Sequence, residues 1–362
     1  MPSTRRSRRH DEQRPRSPLN DITYAWERYR PQPGRYDFIS TSPVIRAWER
    51  YRPRPSRYDF MSASPVRDRL RAVAQDTCDV LPELLRELRT EKEARRSIKY
   101  STTRLPFVDP LPSPLHSQPA RIEVTNEDTL NAAVRLLESD GDEADGPGQS
   151  PPAVLNFANS RNPGGGWMNG AMAQEEAICY RSSLALSLRH DLYPLRRDEG
   201  IYSPYALIMR GDMSSGHHRI DAEPAQLPVV SVLTIPALRN PDVHTFEVRT
   251  SYAVSEDPLI IRETTRDKHI FRHDRDRDTT KGKMRLALRM AARHGHRKLV
   301  LGALGCGVFG NPPEDIAHCW LSVLREDEFA GNRWRDVCFA VYDPKQEGNY
   351  EIFHKILAGH KV

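Results

Sequence analysis

Two adjacent glutamates, Glu175 and Glu176, follow Gln174 at the head of an apolar-periodic stretch. Upstream, Gly164, Gly165 and Gly166 run consecutively. Three glycines in a row lose much backbone entropy on ordering, which implies that the chain there must approach something closely. Two carboxylates beside such a loop make a reaction site suited to acid/base chemistry. Acidic residues are also common in a first helical turn, where they complement the macrodipole, and glycine runs are often only flexible. The order and spacing therefore carry the assignment.

The elements that must position these groups are local. Ala153–Phe157 is short and apolar, as expected of a strand covered on both faces. Asn159, Ser160, Asn162 and Pro163 are turn formers. Ala177, Ile178, Tyr180, Leu184, Ala185 and Leu188 follow helical spacing, which places Gln174, Glu175 and Glu176 in the first turn. Successive helical residues point apart, so only one glutamate is expected to reach a reacting atom. The helix start lowers a carboxylate pKa, whereas burial and the neighbouring charge raise it.

A second glycine-rich loop, Gly305–Gly310, follows a predicted strand at Leu299–Leu304. Asn311, Pro312 and Glu314 read as an N-cap, a first-turn proline and a capping-box partner. Such a loop feeding a helix presents backbone N–H groups to an anion, most often phosphate. Gly305, Gly307 and Gly310 also satisfy GxGxxG. The acidic residue that a dinucleotide site needs about 20 residues later is missing, since Asp343 is the first after the next strand. Cys306 between glycines reads as a small residue in a tight turn, without the Cys-x5-Arg pattern of a phosphatase.

Composition bounds the rest. Residues 1–68 hold 15 Arg and 8 Asp+Glu, a net charge of +7, so residues 69–362 carry −2 of the chain's +5. The body is thus not a nucleic-acid-binding domain by charge. Five cysteines without CxxC spacing predict reduced thiols in an intracellular protein and no structural zinc. No long apolar run or secretory h-region is present. His217, His218, His294 and His296 lack partners at ligand spacing and are expected at the surface.

Residues 1–20 read as a disordered tail whose arginine pairs suit nuclear import or a polyanion. Residues 25–45 recur at 47–67 with 16 of 21 positions identical, either a linear interaction motif or a duplicated linker. Helical periodicity runs from Arg69 to about Tyr100, with Pro82 separating two helices or starting the second. A strand at Arg121–Val124, a helix from Asn126 to Leu137 and an acidic loop over 138–152 precede the central strand. Strands are expected at Ala206–Met209, Leu227–Ile235 and Val337–Tyr342, helices at Thr280–His294 and the C-terminus, and over 239–279 a polar segment whose Arg/Asp run at 272–278 reads as a solvated loop or a helix start and not a metal site.

The Gly164–Gly166, seven-residue gap, Gln174–Glu176 pattern resembles the GGG-x(6–8)-QEE signature of poly(ADP-ribose) glycohydrolases of the microbial type. Phe157, Ala158 and Asn159 resemble the asparagine-bearing loop of macrodomains, the ADP-ribose-binding superfamily to which those enzymes belong. The resemblance implies a macrodomain-like three-layer α/β/α fold with a central mixed sheet, over residues 69–362, preceded by N-terminal helices and the tail of residues 1–68. It implies hydrolysis of ribose–ribose O-glycosidic bonds in poly(ADP-ribose), releasing ADP-ribose, within reversal of ADP-ribosylation and the DNA damage response. Glu176 would be the general acid and then the base. Glu175 would orient the ribose and Gln174 would support the loop. Asn159 and Gly164–Gly166 would hold the distal ribose. The backbone of Gly305, Cys306, Gly307, Val308 and Phe309 would hold the diphosphate, with Phe309 over the ribose. Asp212 and residues 213–226 are further contact candidates. No metal or cofactor is implied. The partners implied are poly(ADP-ribose) and poly(ADP-ribosyl)ated proteins, with no membrane, and a nuclear or cytoplasmic monomer is expected. A non-catalytic ADP-ribose reader is the alternative, one that need not keep Gln174-Glu175-Glu176.

Overall fold

A computed structural model describes residues 64–138, 150–253 and 261–362. The duplicated tail and most of the acidic loop lie outside them. In chain order the elements are α1 (Pro65–Glu87), α2 (Glu91–Ala94), β1 (Ile98–Ser101), β2 (Ile122–Thr125), α3 (Thr129–Glu138) and β3 (Ala153–Phe157). Then come α4 (Gln174–Arg181), α5 (Leu184–Ser187), β4 (Glu199–Leu207), β5 (Val229–Ile235), β6 (Val243–Ala253) and β7 (Ile261–Phe271). The chain continues through α6 (Asp274–Arg293), β8 (Lys298–Leu301), α7 (Pro313–Leu324), β9 (Asp336–Ala340) and α8 (Asn349–Leu357).

Seven strands form one mixed sheet in the order β1-β4-β5-β3-β8-β9-β2. β5, β3, β8, β9 and β2 are mutually parallel, while β1 and β4 pair antiparallel at one edge. Alternate residues of β3 point to opposite faces, so Val154 joins one core and Leu155 the other. Helices α1, α3, α4 and α5 cover the first face, and α6, α7 and α8 cover the second. This is the expected three-layer α/β/α architecture. Because β3, β5 and β8 run the same way, the loops after them all leave one edge of the sheet, where open α/β sheets bind ligands.

Several element boundaries differ from the sequence reading. Pro82 neither divides nor starts a helix: α1 runs through it, and the residue is buried. The helical reading to Tyr100 fails because residues 98–101 pair with β4 as strand β1. The central helix stops at Arg181, where Ser182 turns extended and bridges Ile208. Most of the segment 239–279 is not a solvated loop, because β6 and β7 pair antiparallel over eleven positions, whereas its Arg/Asp run takes the second reading, a helix start, with α6 beginning at Asp274. The surface assignment fails for two of the four histidines, His218 and His294 being half-buried. His217 and His296 are buried, the first against the Tyr180 ring at 5.5 Å, the second between Tyr202 Oη (2.9 Å) and Pro151 O (2.7 Å). Burial holds both near a pKa of about 4, so they are neutral packing groups.

All five cysteines are unpaired. Among the described residues no helix is long and apolar enough to cross a membrane.

Candidate active site

The site forms where the loop after β3 returns to the start of α4. Gln174 locks the two together. Its Oε1 accepts from Phe157 N–H (2.8 Å), and its Nε2 donates to Leu155 O (2.7 Å) and Thr129 Oγ1 (3.2 Å). The side chain thereby continues the hydrogen bonding of β3 beyond its end.

Both glutamates are buried, at 2 % exposure for Glu175 and 8 % for Glu176. Glu175 is enclosed by its own chain. Its Oε2 accepts from Asn159 N–H (2.7 Å), its Oε1 from Asn156 Nδ2 (3.3 Å), and Gly164 N–H also bonds to it. Asn156 in turn donates to Thr234 Oγ1 (3.3 Å), its partner across the β3–β5 ladder. Glu176 differs. Its Oε1 accepts from Gly166 N–H (2.8 Å), while its Oε2 is buried without a hydrogen-bond partner. A buried unpaired carboxylate oxygen is costly and marks a position where a ligand group would complete the bonding.

The glycines are required by this geometry. Gly164 and Gly165 have φ of +68° and +61°. A Cβ on Gly165 would run into Glu176 Oε1 and sit 3.1 Å from Glu175 Oε2, so one glycine separates the two carboxylates. The loop's far side is held by Tyr180, whose hydroxyl lies within donating distance of Trp167 O (2.8 Å) and Ala171 O (2.9 Å). Trp167 is itself buried.

Burial outweighs the helix start at Glu175 and pushes its pKa up to about 8, with the Glu176 charge adding to the rise. The folded protein thus keeps a proton that the unfolded chain releases above the ordinary glutamate value of 4.5. Stability from this group is full below that value and is lost as pH rises towards about 8. The Glu175→Gln variant lacks this titration. Urea unfolding from about pH 5 to about pH 8 should show it gaining on wild type by at least ~1 kcal/mol. Parallel profiles would show that the group titrates normally.

The second loop stands beside the first, since a Cβ on Gly302 would lie 2.8 Å from Phe157 Cζ. Asn311 does not cap α7. Pro312 occupies the cap position and Pro313 the first turn, and Asn311 Nδ2 turns back to Leu238 O (2.7 Å) and Gly305 O (3.1 Å). Tertiary contact with the residues after β5 holds the loop shape. Among the described residues, the N–H groups of Gly305, Gly307, Val308 and Phe309 donate to no acceptor, which suits an anion. Cys306 is half-buried and its surroundings push the thiol pKa up, away from a nucleophile.

Asn159, Gly164–Gly166, Gln174, Glu175 and Glu176 therefore share one cluster, with Gly305–Phe309 in the neighbouring loop. Asn159 Oδ1 is used within its own turn, accepting from Arg161 and Asn162 N–H. Asp212 is similarly engaged with Asn131, Ser214 and Ser215. Sequence reasoning missed Asn156, Thr234 and Tyr180. The available signal was a polar residue inside each of two otherwise apolar strands.

An α/β/α sheet carrying a buried carboxylate pair next to a loop of unpaired amides is an arrangement suited to an anionic ligand and to acid/base chemistry. The family model described as "Microbial-type PARG, catalytic domain" matches residues 80–211. The chain is similar to poly(ADP-ribose) glycohydrolase from Thermomonospora curvata, at 29 % identity over 79 % of this chain and 98 % of that one, with a TM-score of 0.59. A point mutant of that protein gives 30 % identity over the same shares and a TM-score of 0.57. A mutant of the Deinococcus radiodurans enzyme in complex with ADP-ribose gives 27 %, over 74 % and 96 %, with 0.54. No curated protein sequence matches significantly. The chain belongs to the microbial-type poly(ADP-ribose) glycohydrolase family.

Proposed function

We propose that this chain cleaves the ribose–ribose O-glycosidic bonds of poly(ADP-ribose), releasing ADP-ribose, with Glu176 as general acid and then base. As a family member it is a poly(ADP-ribose) glycohydrolase. The observation that carries the assignment of Glu176 is its Oε2, buried and unpaired, while Oε1 is held by Gly166 N–H. Cleavage passes through an oxocarbenium-like state. The leaving ribose oxygen takes a proton, and water supplies hydroxyl to the anomeric carbon. A carboxyl oxygen with no internal partner is free to meet that leaving oxygen.

Glu175, whose two oxygens are occupied by Asn156 and Asn159, serves here as the post on which the loop is hung. Its carboxylate oxygens can each accept a second bond, so orienting the substrate ribose stays part of its proposed role. Asn159 and the Gly164–Gly166 backbone line the ribose position, and the amides of Gly305, Gly307, Val308 and Phe309 receive the diphosphate, whereas Cys306 N–H is taken up by Ala303 O (3.1 Å). Poly(ADP-ribosyl)ated proteins are the partners this chemistry requires.

Incubation with automodified, poly(ADP-ribosyl)ated protein should release free ADP-ribose, resolved by chromatography. Binding of ADP-ribose without release would make the chain a reader and remove Glu176's role. Deleting residues 1–63, which lie outside the described structure, should leave turnover intact.

A further inference from the structure

We infer that the cavity at the carboxyl end of β5 is a second anion subsite, taking the diphosphate of the next ADP-ribose unit beyond the bond that is cut. The inference rests on the poly(ADP-ribose) reading above.

The cavity, of about 400 Å³, is bounded by Ser160, the 195–197 turn, the 236–242 segment and the start of α6. It adjoins the site already described. Leu195 N–H donates to Ser160 O (2.8 Å), next to Asn159, and Asn240 N–H donates to Phe309 O (2.8 Å). The Arg239 guanidinium lies 6.0 Å from the Phe309 ring centroid. Order along the sheet sets the direction. β3 lies between β8 and β5, so a terminal unit with its diphosphate at the β8 loop and its ribose at the β3 loop points its continuing chain towards β5.

The charge there suits a diphosphate. Arg196, Arg197 and Arg239 line the cavity without an ion-pair partner among the described residues. Of the two acids present, Asp242 lies 3.3 Å from the His273 ring and Asp276 lies 3.9 Å from Arg275, so the cavity lining keeps an excess of basic side chains. The independent observation is Lys283. It is 4 % exposed, yet its ammonium makes one hydrogen bond, to Arg197 O at 2.7 Å. An ammonium has three donors, so two are left for an occupant of the cavity. Burial lowers Lys283 to a pKa of about 8, a cost that an adjacent anion offsets. Neither the glutamates nor the β8 loop needs these cations.

The test compares ADP-ribose with its two-unit oligomer, by calorimetry, in a Glu176→Gln background that prevents turnover. The oligomer should bind about tenfold tighter, with a steeper loss of affinity in salt. The Arg196→Glu/Arg197→Glu variant should lose this advantage while ADP-ribose binds unchanged. Arg275→Glu, on the opposite wall, should move the oligomer in the same direction, and decides the matter should the double variant not fold. Equal oligomer affinity in parent and variants overturns the subsite alone. Failure of the parent to bind ADP-ribose at all overturns the reading on which it rests, and the subsite with it.

Discussion

Glu176→Ala should lower the rate of ADP-ribose release from automodified protein by about 10²- to 10⁴-fold, the range for loss of a positioned acid/base group. ADP-ribose binding should survive, because the backbone amides proposed to receive its phosphates belong to a different loop, one in which the Gly305, Gly307, Val308 and Phe309 N–H groups have no acceptor among the described residues. The split between kcat and affinity is the informative part. On the proposed mechanism the unpaired Oε2 contributes when charge develops at the leaving oxygen, so its loss should appear in kcat rather than in product affinity. Glu176→Gln should behave alike, since an amide keeps the shape but acts as neither acid nor base near neutral pH. Loss of ADP-ribose affinity in step with turnover would instead make Glu176 a binding group. Full activity in either variant would move the acid elsewhere in the site.

Gly165→Ala should be nearly as damaging, although it removes no reactive atom. Its φ of +61° strains an L-residue by about 1–2 kcal/mol, and the new methyl would collide with Glu176 Oε1. The Glu176 carboxylate can yield only by leaving Gly166 N–H, and the loop can yield only by pulling away from Glu175, which it also bonds. A displacement on the order of 1 Å at a reacting group costs about 100-fold in rate. Turnover should fall by that factor or more, with a measurable drop in the urea midpoint. Gly282→Ala is the control, since nothing lies within 4 Å of the added methyl in the interior of α6. It should keep full activity and gain about 0.5–1 kcal/mol of stability. Equal activity in both variants would mean that the loop is not held as described.

The strand–glycine loop–helix series at 153–181, the second loop before α7 and the carboxylate pair were legible in the sequence because each is a local property. Periodicity, turn formers and a first-turn proline act within a few residues of one another. Acid/base chemistry and the phosphate-type loop could be read from such neighbours. The family signature added the substrate class.

Contacts between distant segments were not legible. Nothing in the apolar reading of 153–157 gave Asn156 a role, which it takes only because β5 places Thr234 beside it and α4 places Glu175 within reach of its amide. Asn311 has the residue type of a cap, but the chain after β5 passes close enough to claim its amide. His217 and His296 are polar by type, and only the packing of Tyr180 and Tyr202 buries them. The β6–β7 pairing was masked by charges that spacing alone assigns to solvent. Which glutamate keeps an unpaired oxygen was likewise a tertiary matter. Adjacent, identical residues differ only in which partners the rest of the fold brings to them.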